Sequence, residues 1–394
     1  VLPPQMYGGD IAITNGLTLG AASSSAMLEA NADHSIKVLG ANITGNSSYG
    51  LGINLIANIA GVSGDILISD SLLETFGEDM YLGGRNITLT ARTGHGSIVS
   101  TTGCAVAGQS GTCSSSNQGN FLHTGEQVVE ATGMLKLQAN NYGGNGIGMI
   151  SGNGQTITAN RIELNAGNVG QNNGVRIGNF SSSDQEITAN QIQLKAGGSG
   201  ASDYGNKAVI ASYGASQVIN VDGAEGALSL QGGAGYGVDT SFQVGKLVTT
   251  PANPPDPEVA TPLYASNNQA QIYSEGGDQT ISFTSTGGSL ILTGGTRGPL
   301  GSPVNPPVDQ YGTANSALIW NNAASEQVIE GRPVITLVGG ASGGDSGAAF
   351  DSYQKFASLG VFLERNSALI ASGKADVADQ NGAIPCNVSP CQVI

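Results

Sequence analysis

The chain has 394 residues, a formal net charge of −15, 39% hydrophobic residues and only 11% charged ones. That hydrophobic share argues against a disordered polyelectrolyte, and 14 Lys plus Arg over the whole length provide no cationic stripe for nucleic acid. No run of about 18 apolar residues predicts a membrane-spanning helix, and the 61 glycines follow no Gly-x-y period, which excludes collagen.

Residues 1–9, with Leu2 and Tyr7 around two prolines, read as an N-terminal extension or cap, because proline blunts strand pairing. Val1-Leu-Pro-Pro looks like a processed start, which implies a leader removed earlier. Residues 10–125 predict irregular β-rungs. Ile11 and Ile13 open them, and Ile36/Val38, Ile53/Leu55, Ile66/Ile68 and Ile87/Leu89 continue at spacing two, as short strands with one apolar face do. Ser71–Gly77 is a helix candidate here, and Lys355–Leu363 is another further on. Cys104 and Cys113 bracket a Gly/Ser loop, and Cys386 and Cys391 bracket Asn-Val-Ser-Pro. The histidines His34, His95 and His123 are scattered, so zinc has no ligand set and no metal or cofactor is expected. The two local cysteine pairs predict loop-closing disulfides in an oxidising compartment, hence a secreted or cell-surface protein.

Residues 126–373 carry the regular rungs. A phrase Gln-x-(Ile/Val), then a gap, then (Ile/Leu)-x-Leu-x-(Ala/Gly)-Gly begins at Gln127, Gln155, Gln185, Gln217, Gln279 and Gln327. The spacings are 28, 30, 32, 62 and 48 residues, so the 62 is two rungs or one with a large insertion. A second phrase ends at Ile150, Ile177, Ile210, Ile272 and Ile319 and returns as Asn366-Ser-Ala-Leu-Ile370. A repeat of about 30 residues with period-two alternation predicts stacked β-rungs. The expected fold is all-β: a single elongated parallel β-helix with three short strands per rung, about 11–13 rungs and a shaft of roughly 50–60 Å. The repeated glutamine is expected at a fixed corner, its amide linking rungs in a ladder. Insertions 249–257, 298–308 and 341–365 all leave from one corner and are expected to form a lateral surface. Residues 374–394, with the Cys386/Cys391 loop, read as a C-terminal tail or cap. A stack has two open ends, and the candidate assembly residues are Leu2, Tyr7 and Ile11 at one, Ile370, Val393 and Ile394 at the other.

Ala270-Gln-Ile-Tyr-Ser-Glu-Gly-Gly-Asp-Gln-Thr-Ile281 and Ser289-Leu-Ile-Leu-Thr-Gly-Gly295 resemble the rungs of filamentous-haemagglutinin-type exoproteins of Gram-negative bacteria. The resemblance spans about residues 126–373. It implies a right-handed helix, secretion to the bacterial surface and an adhesive or fibre-building role. The family's N-terminal secretion domain is not recognisable here.

The expected function is therefore structural and non-catalytic: a subunit that joins copies of itself head to tail into an extracellular filament. The alternative is a monomeric adhesin binding surface carbohydrate or matrix. A polysaccharide-degrading β-helix would need paired carboxylates, but Asp203, Asp222, Asp239 and Asp278 occur one per rung at changing corners. Gly344-Asp-Ser-Gly347 matches a serine-protease tetrapeptide, but every histidine lies far upstream of Ser346. Gly232–Asp239 is a single imperfect copy of a calcium-binding nonapeptide.

Overall fold

Alternation at spacing two makes strands, and strands are the only regular element among the described residues. The computed structural model describes residues 9–18, 25–45, 49–57, 64–91, 96–102, 125–140, 146–199, 203, 205–214, 216–234, 239–246, 262–265, 268–285, 287–296, 315–321, 325–338, 368–372 and 392–393. The first third holds β1 (Ile11–Ile13), β2 (Leu17–Thr18), β3 (Ala26–Ala32), β4 (Ser35–Leu39), β5 (Asn42–Thr44), β6 (Leu51–Ala57), β7 (Asp65–Ser69), β8 (Leu72–Glu74), β9 (Met80–Thr90) and β10 (Ile98–Ser100). The middle holds β11 (Glu126–Gln138), β12 (Ile147–Ser151), β13 (Gly154–Asn165), β14 (Val175–Asn179), β15 (Gln185–Lys195) and β16 (Ala208–Ser212). Then follow β17 (Gln217–Val221), β18 (Ala227–Gln231), β19 (Asp239–Lys246), β20 (Pro262–Ala265), β21 (Ala270–Ser274) and β22 (Gln279–Phe283). The series closes with β23 (Ser289–Thr293), β24 (Ala317–Asn321), β25 (Gln327–Glu330), β26 (Val334–Val338), β27 (Ala368–Ser372) and β28 (Gln392–Val393).

These strands stack into two parallel sheets, one of 16 strands and one of 10, with β19 and β20 as a separate antiparallel ribbon. The architecture is solenoid-like. The larger sheet has two columns. The glutamine column runs through β3, β6, the first half of β9, β11, β13 and β15, then β17, β22, β25 and β28. The leucine column runs through β1, β4, β7, the second halves of the same long strands, then β18, β23 and β26. The second sheet is the remaining column, from β2 to β27. At about 4.8 Å per strand, its 10 described strands stand roughly 45 Å tall, shorter than the length expected from sequence.

The core lies between the columns. In β13, Ile157, Ile162 and Leu164 point inward and are fully buried, each such side chain contributing about 1.5–3 kcal/mol of transfer free energy. The Gly that closes the rung phrase has a steric cause. A Cβ on Gly197 would overlap the carbonyl oxygen of Gly167, one on Gly233 that of Gly197, and one on Gly295 that of Gly233. Coils approach so closely at this corner that no side chain fits between them.

Register resolves the spacings. Gln217 pairs with Gln279, so the 62-residue gap is one rung with an insertion, and that insertion carries β19 and β20. Two readings need correction. Leu72–Glu74, inside the expected helix Ser71–Gly77, is strand β8, because Leu73 continues the inward row from Ile43 to Val99; pairing overrides a seven-residue helix that could not stand alone. Ile150 is one place out of the inward row: Met149 pairs with Ile177, and Ile150 faces outward. Gln392 and Val393, inside the expected C-terminal tail or cap, form a strand in register with Gln327 and Val328. The cysteines Cys104, Cys113, Cys386 and Cys391, the second helix candidate, the insertions 249–257, 298–308 and 341–365, and Leu2, Tyr7 and Ile394 lie outside the described residues.

Gly233→Ala should lower stability by about 1–3 kcal/mol through overpacking, read as a reduced urea midpoint in circular dichroism. An unchanged midpoint would mean that the corner is looser than the structure shows.

Candidate interaction surfaces

The six repeated glutamines stand first or second in strands of the glutamine column, and their side chains are buried. Gln155 Nε2 donates to Gln127 Oε1 at 2.7 Å, Gln185 to Gln155 at 2.7 Å and Gln217 to Gln185 at 2.8 Å. Gln279 donates to Gln217 at 2.8 Å and Gln327 to Gln279 at 2.6 Å. Several also donate to second-sheet carbonyls, such as Gln217 to Tyr273 O at 3.2 Å and Gln279 to Trp320 O at 3.3 Å. Each amide therefore ties adjacent coils together, and those of Gln127, Gln155, Gln217 and Gln279 also link two columns. Among the described residues, Gln327 Oε1 is buried without a partner.

A second ladder escaped the sequence reading. Asn206 Oδ1 accepts the backbone N–H of Asn173 at 2.8 Å, Asn268 that of Asn206 at 3.0 Å, and Asn315 that of Asn268 at 3.2 Å. The side-chain amides close the corner loops, as Asn173 Nδ2 does on Val169 O at 2.7 Å and Asn206 Nδ2 on Gly170 O at 2.8 Å. The signal was present: each Asn stands two residues before a second-sheet strand. Both ladders are internal and hold the stack together rather than meeting a ligand.

The outer face of the second sheet departs from simple alternation. Ile98, Ile150, Val209 and Leu318 point away from the core yet are almost fully buried. Both faces of these strands are covered, so they read as apolar doublets such as Met149-Ile150 and Leu318-Ile319. An aromatic row runs along this face. Phe180 stacks on Tyr213 with centroids 4.3 Å apart, Tyr213 meets Tyr273 edge-on at 5.3 Å, and Tyr273 stacks on Trp320 at 6.3 Å. The Arg176 guanidinium sits 5.8 Å from the Phe180 ring centre and 5.7 Å from that of Tyr213, a cation–π arrangement. Gly178 makes room, since its Cβ would press on the Phe180 ring. Burial holds the Tyr273 phenol well above its ordinary pKa, with Tyr213 and Glu275 adding to the rise. Phe180 is too buried to meet a sugar face on, so the row reads as packing.

The two ends of the stack are the remaining surfaces. Among the described residues β1 pairs only with β4, β2 only with β5 and β3 only with β6; at the far end β26, β27 and β28 pair only with β23, β24 and β25. Apolar side chains are exposed at both: Leu17 is 43% and Met27 68% exposed, against 63% for Val334 and 49% for Leu337. Ile11 at one end, and Ile370 at the other, are partly buried against the last turns of the core. Val393 lies in β28.

The acidic candidates do not converge. Asp203 is buried, and its carboxylate accepts the backbone N–H groups of Gly170 at 2.7 Å and Ser199 at 2.8 Å, which is a loop-shaping role. Asp278 accepts the N–H of Glu326 at 2.9 Å, while Asp222 follows β17 and Asp239 opens β19. Gly344–Gly347, with Ser346, lies outside the described residues. A recess at the glycine corner is lined by Asn168, Lys195, Gln231, Thr293 and Thr296 with backbone glycines, and among the described residues no carboxylate lines it. Among the described residues no group of three or more His, Cys, Asp or Glu could hold a metal, and no helix is long and apolar enough to cross a membrane. No known protein family, curated protein or solved structure matches the chain.

Gln217→Leu should destabilise the fold by about 1–3 kcal/mol, because it strands buried amide groups on Gln185 and Gln279. Gln217→Glu adds a pH dependence. Burial raises the folded-state pKa of the new carboxyl above its unfolded value of about 4.3. The variant should thus be most stable below that pH and lose stability as the pH rises through the raised pKa. Urea midpoints at acid and neutral pH check this, and a flat difference from the wild type would refute a buried ladder position.

Proposed function

We propose that this chain is a non-catalytic, extracellular structural subunit: a right-handed β-solenoid with three strands per coil that assembles end to end into a filament. The observation that carries the reading is the pair of open ends. Each presents strand edges that no described strand pairs with, with exposed Leu17 and Met27 at one and Val334, Leu337 and Val338 at the other. An exposed edge is a template for another strand, and a solenoid must cap its ends or use them. Joining unlike ends along one axis gives a heterologous contact that does not close, hence a fibre. The low charge and the two local cysteine pairs fit an oxidising exterior. The rung phrases shared with haemagglutinin-type exoproteins support a bacterial surface location.

Purified chain, viewed by negative-stain electron microscopy over a range of concentrations, should form uniform unbranched fibres whose length grows with concentration. Short isolated rods at every concentration would refute self-assembly and favour the monomeric adhesin.

A further inference from the structure

The strands visit the three columns in one unbroken cycle. After the leucine column the chain enters the second sheet, then the glutamine column, then the leucine column again. The ribbon β19–β20 lies outside the stack and does not disturb the order. The first three described strands, β1, β2 and β3, belong to the leucine column, the second sheet and the glutamine column. The last three, β26, β27 and β28, belong to the same columns in the same order. The place that follows β28 in the cycle is thus in the leucine column, on the edge of β26 to which no described strand pairs. A strand like β1 belongs there.

The exposures agree. Leu292 and Leu337 occupy the same inward row in adjacent strands, yet Leu292 is 0% exposed and Leu337 is 49% exposed. The row through Ile335 also ends at the other face of the molecule. It comes from Leu228 and Leu290, and it begins at Ile11, Ile36 and Ile66. The second-sheet row likewise begins at exposed Leu17 and ends at Ile370. In these two columns the rows stop on Ile or Leu at both ends, so joining them places like on like; in the glutamine column the join sets Gln392 in register with Leu28, as Gln127 already pairs with Met80 inside the stack.

Resting on the end-to-end reading above, we propose that copies join in register, phased by the column cycle. β26 of one copy pairs in parallel with β1 of the next, which places Ile335, Thr336 and Leu337 beside the next copy's Ile11, Ala12 and Ile13. β27 then adds to the next copy's β2, with Ile370 on Leu17, and β28 to its β3. No column is skipped or doubled, so the hydrogen-bonded columns continue from copy to copy. The axial repeat is then 10 strand spacings, about 48 Å.

Thr336 and Ala12 are both exposed and face outward, so they report the register without entering the core. In the fibres, Ala12→Cys with Thr336→Cys places two thiols one strand spacing apart, within disulfide reach. Oxidation with copper phenanthroline should yield a ladder of covalent multimers on a non-reducing gel, absent from the wild type and from each single variant. Ala12→Cys with Val334→Cys is two residues out of register, with Cα atoms about 8 Å apart and beyond reach, and should not link. Linking by the second pair instead of the first, or by neither in well-formed fibres, overturns the register and leaves the filament reading intact. A wild-type axial repeat one or more strand spacings away from about 48 Å by cryo-electron microscopy overturns it too. Absence of any fibre defeats the filament reading itself.

Discussion

In-register parallel stacking at one strand spacing governs this molecule. Every residue lies about 4.8 Å from its equivalent in the next coil, so a position is tolerable only if it can pack against a near copy of itself. Ile and Leu meet that demand inside the columns. Glutamine meets it near the strand start, where the amides of Gln155, Gln185, Gln217 and Gln279 each donate to one neighbour and accept from the other. Glycine meets it at the corner, where even a methyl group would strike the next carbonyl. Three residue types thus repeat for one geometric reason.

The same constraint explains where polar groups are buried. A corner leaves backbone N–H and carbonyl groups without a sheet partner, and each must be satisfied. The asparagine ladder does this on one side, and Asn179 and Asn321 do it at the turn before the glutamines, donating to Ser183 O at 2.5 Å and Glu326 O at 2.9 Å. The stack is in effect bolted at its corners by side-chain amides. Among the described residues, the strand edges that no described strand pairs with are those at the two ends, and that is why the ends carry the functional reading.

Legibility followed periodicity. The glutamine phrase and the alternation in Ile162-Glu-Leu-Asn-Ala166 were readable because the same residue types recur at fixed offsets. The asparagine ladder was harder, because its members lie in corners of varying length. Ile150 was misplaced because Met149 and Ile150 are both apolar, and only pairing with Ile177 shows which one faces the core. Gln392-Val393-Ile394 repeats the head of the rung phrase, but without the rest of that phrase behind it the likeness passed unnoticed. The outward aromatics Phe180, Tyr213, Tyr273 and Trp320 could not be joined from sequence, since they come from different coils.

The sequence by itself determined that the chain is a stack of short parallel strands, which side chains line its interior and which glutamines align, because an internal repeat carries its own register. Only the tertiary structure decided how the long gaps are accommodated, that outward residues of the second sheet such as Ile150 and Val209 are buried, and that the first and last described strands stand one step apart in the same column cycle. Those facts depend on which coil lies against which. That is fixed by hydrogen bonds between residues some 28 to 62 positions apart, a distance over which local pattern carries no information.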